Sequence, residues 1–182
     1  MGKNKTVQKK VKPYEIGELD QYLFGQGTHY EIYKKLGAHK VTVRGKEGVY
    51  FAVWAPNARR VSVVGDFNEW DFEENYMERQ EPEGIYTCFI PGVQDGDLYK
   101  FCIETMQGKR LFKADPFANY AEMRPGTASR ITDISHLSWT DGEWMEARKD
   151  WDSRQNPLAI YEVHLGSWMR HPGREDEGFL HL

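Results

Sequence analysis

The chain has 182 residues, more than one typical domain needs and too few for two well-filled ones. Its 40% apolar and 14% aromatic content excludes wholesale disorder. Its 24 basic against 28 acidic residues, a net charge of −4, exclude a generally basic nucleic-acid binder.

Residues 1–12 hold five lysines and no acid, and they predict a disordered basic tail. No apolar segment follows those lysines, so the tail does not read as a secretory signal, and no apolar run is long enough to cross a bilayer. Cys88 and Cys102 are too few for a disulfide scaffold, so free thiols in the cytoplasm are expected, with a cross-strand bridge as the oxidised alternative. The histidines show no ligand spacing, so neither a metal site nor a cofactor is expected.

Residues 13–40 read as a short helical leader. Thr28 and Glu31 have capping-box spacing, Ile32 and Leu36 lie one turn apart, and Gly37 stands where a left-handed stop belongs, predicting a helix over 29–36. Gly25 and Gly27 begin a dinucleotide-binding glycine pattern, but Tyr30 takes its third position and no strand-like run precedes it, leaving a turn.

Residues 41–135 have the texture of strands. Runs at 41–43, 49–55, 60–64, 85–90, 98–105, 110–112 and 130–134 are rich in β-branched and aromatic residues and separated by Gly, Pro and Asp. An all-β, immunoglobulin-like antiparallel sandwich with short flanking helices is expected. Along 98–105, Tyr99, Phe101 and Ile103 share a core-facing parity, which sets Lys100 on the outer surface. Along 49–55 both parities are apolar, so that strand is expected to be covered on both faces.

Residues 136–157 predict a linker helix, with Thr140 to Glu143 as its cap and Trp144, Ala147 and Trp151 on one face. Residues 158–182 open with a strand-like run, Leu158 to Gly166, that has no evident pairing partner.

These residues carry a resemblance. Val49 to Ala58, Val61 to Trp70 and Asp115 to Ala118 resemble the family-48 carbohydrate-binding module of 1,4-α-glucan branching enzymes. Ile160 to Trp168 resembles the first strand of that family's (β/α)8 barrel, and Tyr22 to Gly25 with Leu36 to His39 resembles the leader of its bacterial members. The resemblance implies partnership with α-1,4-glucan or glycogen and with a catalytic barrel, and no contact with nucleic acid or membrane. The family's catalytic carboxylates belong to later barrel strands, so 158–182 is expected to be a barrel stub and the chain inactive alone, either positioning glucan or buttressing the barrel. A stand-alone glycogen-sensing or targeting module is the alternative. Carried over position by position, the resemblance implies glucan contacts at Trp70, Lys100, Phe112, Thr127 and Ser129. Phe112 stands where glycogen-sensing members carry tryptophan, and Ser129 where an asparagine is expected. Glu162 and His164 are implied to be supporting barrel residues.

Overall fold

A computed structural model describes Lys12, residues 14–152 and residues 154–164. The expected basic tail therefore lies, apart from Lys12, outside the described residues. The chain divides into two compact units, residues 1–137 and 138–182.

The first unit opens with helix α1 (Glu18–Gly25) and a 3-10 turn (Ile32–Lys34). Among the described residues nine strands follow: β1 (Gly37–Val43), β2 (Lys46–Trp54), β3 (Ala58–Gly65), β4 (Glu78–Gln80), β5 (Ile85–Pro91), β6 (Leu98–Thr105), β7 (Arg110–Lys113), β8 (Tyr120–Ala121) and β9 (Ser129–Arg130). All described pairings are antiparallel. Sheet A has the order β1-β2-β5-β4, and sheet B the order β3-β6-β9-β8, with β7 beside the far end of β6.

Side-chain alternation explains why the two sheets stack. Val49, Phe51 and Val53 of β2 and Tyr86 and Ile90 of β5 meet Val61 and Val63 of β3 and Tyr99 and Phe101 of β6 in one buried cluster. Phe51 and Tyr99 meet edge-on with ring centroids 5.2 Å apart, which joins the sheets at the centre. The first unit is thus mostly antiparallel β-structure arranged as a sandwich.

The second parity of β2 is also accounted for. Ala52 joins Leu36 and Ile85 in a separate cluster, against which Ile16, Phe24, Ile32 and Tyr50 pack. The leader therefore covers part of the outer face of sheet A. Between β1 and β2, Arg44 and Gly45 both have positive φ, 51° and 79°, as a two-residue hairpin turn requires.

The leader helix is not where the capping-box spacing put it. No α-helix spans 29–36. The Thr28 hydroxyl donates to the Leu23 carbonyl at 3.3 Å, so it closes the preceding helix instead of opening a new one. At the end of α1 the Thr28 amide donates to Leu23 and the Gly27 amide to Phe24, with Gly27 at φ +69°. This is a Schellman stop. At its start, Asp20 accepts from the Gly17 amide at 2.9 Å. Gly27→Ala is expected to cost about 1 kcal/mol through its left-handed backbone, since nothing crowds the new methyl group. Urea unfolding checks this.

Two further differences concern strands. The expected strand over 130–134 is reduced to Ser129–Arg130, after which Ile131 turns into the core. Cys88 and Cys102 are free, Cys88 on the core side of sheet A and Cys102 on the outer side of sheet B, so the bridge is not formed. Burial pushes the Cys88 thiol up to about 12. In the second unit, residues 158–164 are not assigned to a strand. Residues 165–182, the rest of the expected barrel stub, lie outside the described residues.

The second unit contains α2 (Gly142–Ala147) and a 3-10 turn (Arg148–Asp150), shorter than the helix expected over the linker. Trp144, Ala147 and Trp151 nonetheless line one depression together with Arg148 and Leu158. The Arg148 guanidinium lies over the Trp144 ring at 5.2 Å.

Candidate functional site

The outer face of sheet B is assembled by register. Val64 of β3 lies opposite Lys100 of β6, and Cys102 lies between Ser62 of β3 and Phe112 of β7. At the other end of the sheet, Leu98 pairs with Arg130, which pairs with Tyr120. Alternation therefore sends Lys100, Phe112, Arg130 and Tyr120 to one surface.

Trp70 reaches this region from the loop after β3. Asn68, only 8% exposed, organises that loop. Its Oδ1 accepts from the Gly65 amide at 2.9 Å, while its Nδ2 donates to the carbonyls of Val63 at 2.9 Å and Asp71 at 3.3 Å. Those bonds hold Glu69 and Trp70 at φ +51° and +62°, two successive left-handed residues of which neither is glycine. Such a conformation costs energy and persists only where the surroundings impose it. Asp66 then locks the indole. One carboxylate oxygen accepts from Trp70 Nε1 at 3.0 Å and the other from the Leu98 amide of β6 at 2.8 Å. The ring is thereby referenced to the same strand that carries Lys100.

Lys100 Nζ donates to the Thr127 hydroxyl at 2.7 Å. Thr127 is exposed and Lys100 partly exposed, so this pair offers a cation and a hydroxyl at the surface. Phe112 is 49% exposed, two residues along β6 from Lys100 through its pairing with Cys102.

Ser129 is different: it is 1% exposed and does not reach the surface. Its Oγ accepts from the Asp115 amide at 2.8 Å. Asp115 is itself buried, with its two oxygens accepting from Tyr99 OH at 2.6 Å and the Phe117 amide at 2.8 Å. Burial pushes the Asp115 carboxyl above the usual carboxylate range, opposed by the Tyr99 and Phe117 donors. Ser129 thus ties the segment around Asp115 to β9, two residues from Thr127, and positions that segment from behind.

The structure brings Lys100, Thr127 and Phe112 to one face with Trp70 fixed at its margin. Asp66 and Asn68 were missed as positioning residues, although both lie inside the motif that pointed to Trp70. The remainder of the face is closed by charge pairs: Glu104 accepts from Arg60 at 2.8 Å, and Arg110 bonds Glu73 while covering the Phe72 ring at 3.8 Å. The Arg60 hydrogen bond holds the Glu104 carboxyl below its usual range. Among the described residues, no group of three His, Cys, Asp or Glu side chains is placed to share a metal ion.

A family model, carbohydrate-binding module 48 (isoamylase N-terminal domain), matches residues 35–118. The 1,4-alpha-glucan branching enzyme GlgB of Butyrivibrio fibrisolvens is 57% identical over 164 residues, covering 90% of this chain and 26% of that protein. Over nine-tenths of its length the chain is therefore similar to 1,4-alpha-glucan branching enzymes. GlgB of Synechococcus sp. strain JA-3-3Ab is 50% identical over 165 residues, covering 91% of this chain and 21% of its own length. The chain thus spans about a quarter of the length of the curated relatives it matches. Among solved structures, Klebsiella pneumoniae pullulanase complexed with maltotriose shares 22% identity and a TM-score of 0.44, covering 54% of this chain and 10% of its own. The module match contains Trp70, Lys100 and Phe112, whereas Thr127 and Ser129 lie beyond its end. No helix among the described residues is long and apolar enough to cross a membrane.

Proposed function

We propose that the outer face of sheet B binds α-1,4-glucan, and that this immunoglobulin-like module positions glucan chains for a branching enzyme's barrel. The observation that carries the reading is the Lys100–Thr127 pair on the same face as Phe112, with Trp70 held against β6 by Asp66. A glucan ring offers a face of C–H bonds edged by hydroxyl groups. An aromatic plate suits the face, and a lysine with a hydroxyl partner suits the edge. Phe112 adds a second apolar surface without a donor of its own. Ser129 serves by holding the Asp115 segment rather than by touching sugar.

The reading includes no bond-making by residues 1–182. Retaining transfer between glucans needs a nucleophile and an acid/base carboxyl about 5–5.5 Å apart across the sugar, and in the family these belong to later barrel strands. Residues 158–182 are proposed to enter that barrel. Free thiols at Cys88 and Cys102 suit the cytoplasm as the compartment.

Affinity electrophoresis of the chain in gels with and without glycogen tests the binding. Glycogen is expected to retard the chain, and Trp70→Ala to weaken retardation about 10-fold or more in apparent Kd. Equal mobility of the chain in both gels overturns the reading. An iodine and debranching assay on amylose checks for new α-1,6 linkages, and none are expected.

A further inference from the structure

The outer face of sheet A is only partly covered by the leader. Beside the covered part runs a groove of about 580 Å³, bounded by Glu15 and Ile16 on one side and Tyr76 and Glu78 on the other. Its floor follows from register. Tyr50 of β2 lies directly opposite Phe89 of β5, and Thr87 of β5 opposite Glu78 of β4. These residues share the parity of Ala52 and Ile85 and so face away from the core between the sheets. Gln80 Nε2 donates to the Thr87 hydroxyl at 3.2 Å, which fixes the amide at the groove wall. Beyond Glu15 and Phe89 the depression continues past Lys12, Arg44 and Lys46.

The lining selects a ligand class. Tyr50 and Phe89 supply aromatic surface, while Gln80, Glu78 and Glu15 supply acceptors for hydroxyl donors. A purely apolar ligand leaves those polar groups desolvated, and within the groove itself Glu15 and Glu78 repel an anion, Lys12, Arg44 and Lys46 lying beyond its end. A neutral, linear, polyhydroxylated chain satisfies both the rings and the acceptors. The groove lies on the opposite sheet from Trp70 and Lys100, so one short oligosaccharide does not fill both places.

We propose that this groove is a second α-glucan site, with Tyr50, Phe89, Gln80 and Glu78 as its contacts. It rests on the function proposed above for its ligand class and on the sheet A geometry for its location. Two sites on opposite faces let one module hold two glucan chains, or two segments of one branched molecule. The second contact then benefits from a raised effective concentration.

The test is a titration of the isotope-labelled 182-residue chain with maltoheptaose, followed by amide chemical shifts. Two separate sets of shifts are expected, one around residues 70, 100 and 127 and one around residues 50, 78–80 and 87–89. In Trp70→Ala/Lys100→Ala the first set is lost and the second persists with unchanged Kd. Gln80→Ala, on a short edge strand, weakens only the second set, by about 2- to 10-fold. Phe89→Ala removes the second set, and if it unfolds the chain, Gln80→Ala alone decides. Shifts confined to the first set, or lost everywhere in the double variant, overturn the second site. Shifts confined to the second set overturn the sheet B reading and leave the groove standing.

Discussion

Asn68→Ala is expected to destabilise the chain by about 2–5 kcal/mol and to abolish its retardation by glycogen. The side chain is replaced where it makes three hydrogen bonds, two of them wholly inside the protein. The Gly65 amide and the Val63 carbonyl lose partners that water reaches poorly, and each such orphan costs about 1–3 kcal/mol. The Asp71 carbonyl is better solvated and adds less. Without Asn68 nothing equivalent opposes relaxation of Glu69 and Trp70 from φ +51° and +62°, so the indole leaves its place beside Asp66. Asn68→Asp separates the two roles. It keeps an acceptor for Gly65 but points a second oxygen at the Val63 and Asp71 carbonyls. That carboxyl prefers its protonated form when folded, so the variant's stability is greatest in acid and declines as pH rises through the raised value. Urea unfolding of the three proteins in acid and at neutrality checks the order.

Much of the architecture was legible because β2 and β6 are long enough to display a period. Apolar residues at both parities of 49–55 meant two covered faces, and the structure supplies sheet B on one side and the leader on the other. Alternation along β6 placed Lys100 outward, where it bonds Thr127. The same reasoning fails for β9, because two residues hold no period. Ser129 was read by position in a motif and sits inside. The helix was misplaced because capping-box spacing between Thr28 and Glu31 is a pattern of residue types and says nothing of where the hydroxyl points. The Thr28 hydroxyl is committed to Leu23. Helix α1 buries no residue fully and exposes Leu19 and Tyr22, so it lacks the apolar stripe that would have announced it. The groove on sheet A was invisible for another reason: it depends on Tyr50 pairing with Phe89 and on the leader stopping short, neither of which is a local property.

Tyr99→Phe is the second substitution with a large expected effect, about 1.5–3 kcal/mol at neutral pH. Tyr99 is fully buried, and its hydroxyl donates to Asp115 at 2.6 Å. Burial, and then the Asp115 charge, push the Tyr99 hydroxyl far above its ordinary value, so it stays a donor at any working pH. Because burial raises the folded-state value of Asp115, stability linked to its protonation is complete below the unfolded value. It falls as pH rises through the folded one. Removing the Tyr99 donor raises the folded value further, so that decline continues to higher pH in the variant. The gap between the two proteins is therefore small in acid, where Asp115 is protonated in both, and widens towards neutrality. A gap of constant size from about pH 4 to about pH 8 rules out the carboxylate as the acceptor that matters. Asp115→Asn, nearly isosteric and without charge, is expected to flatten the profile across the same interval. The network reaches the surface through Ser129, which accepts the Asp115 amide two residues from Thr127. Loss of Tyr99 is therefore expected to loosen the Lys100–Thr127 pair, weakening glucan retention most at the pH where the stability deficit is largest.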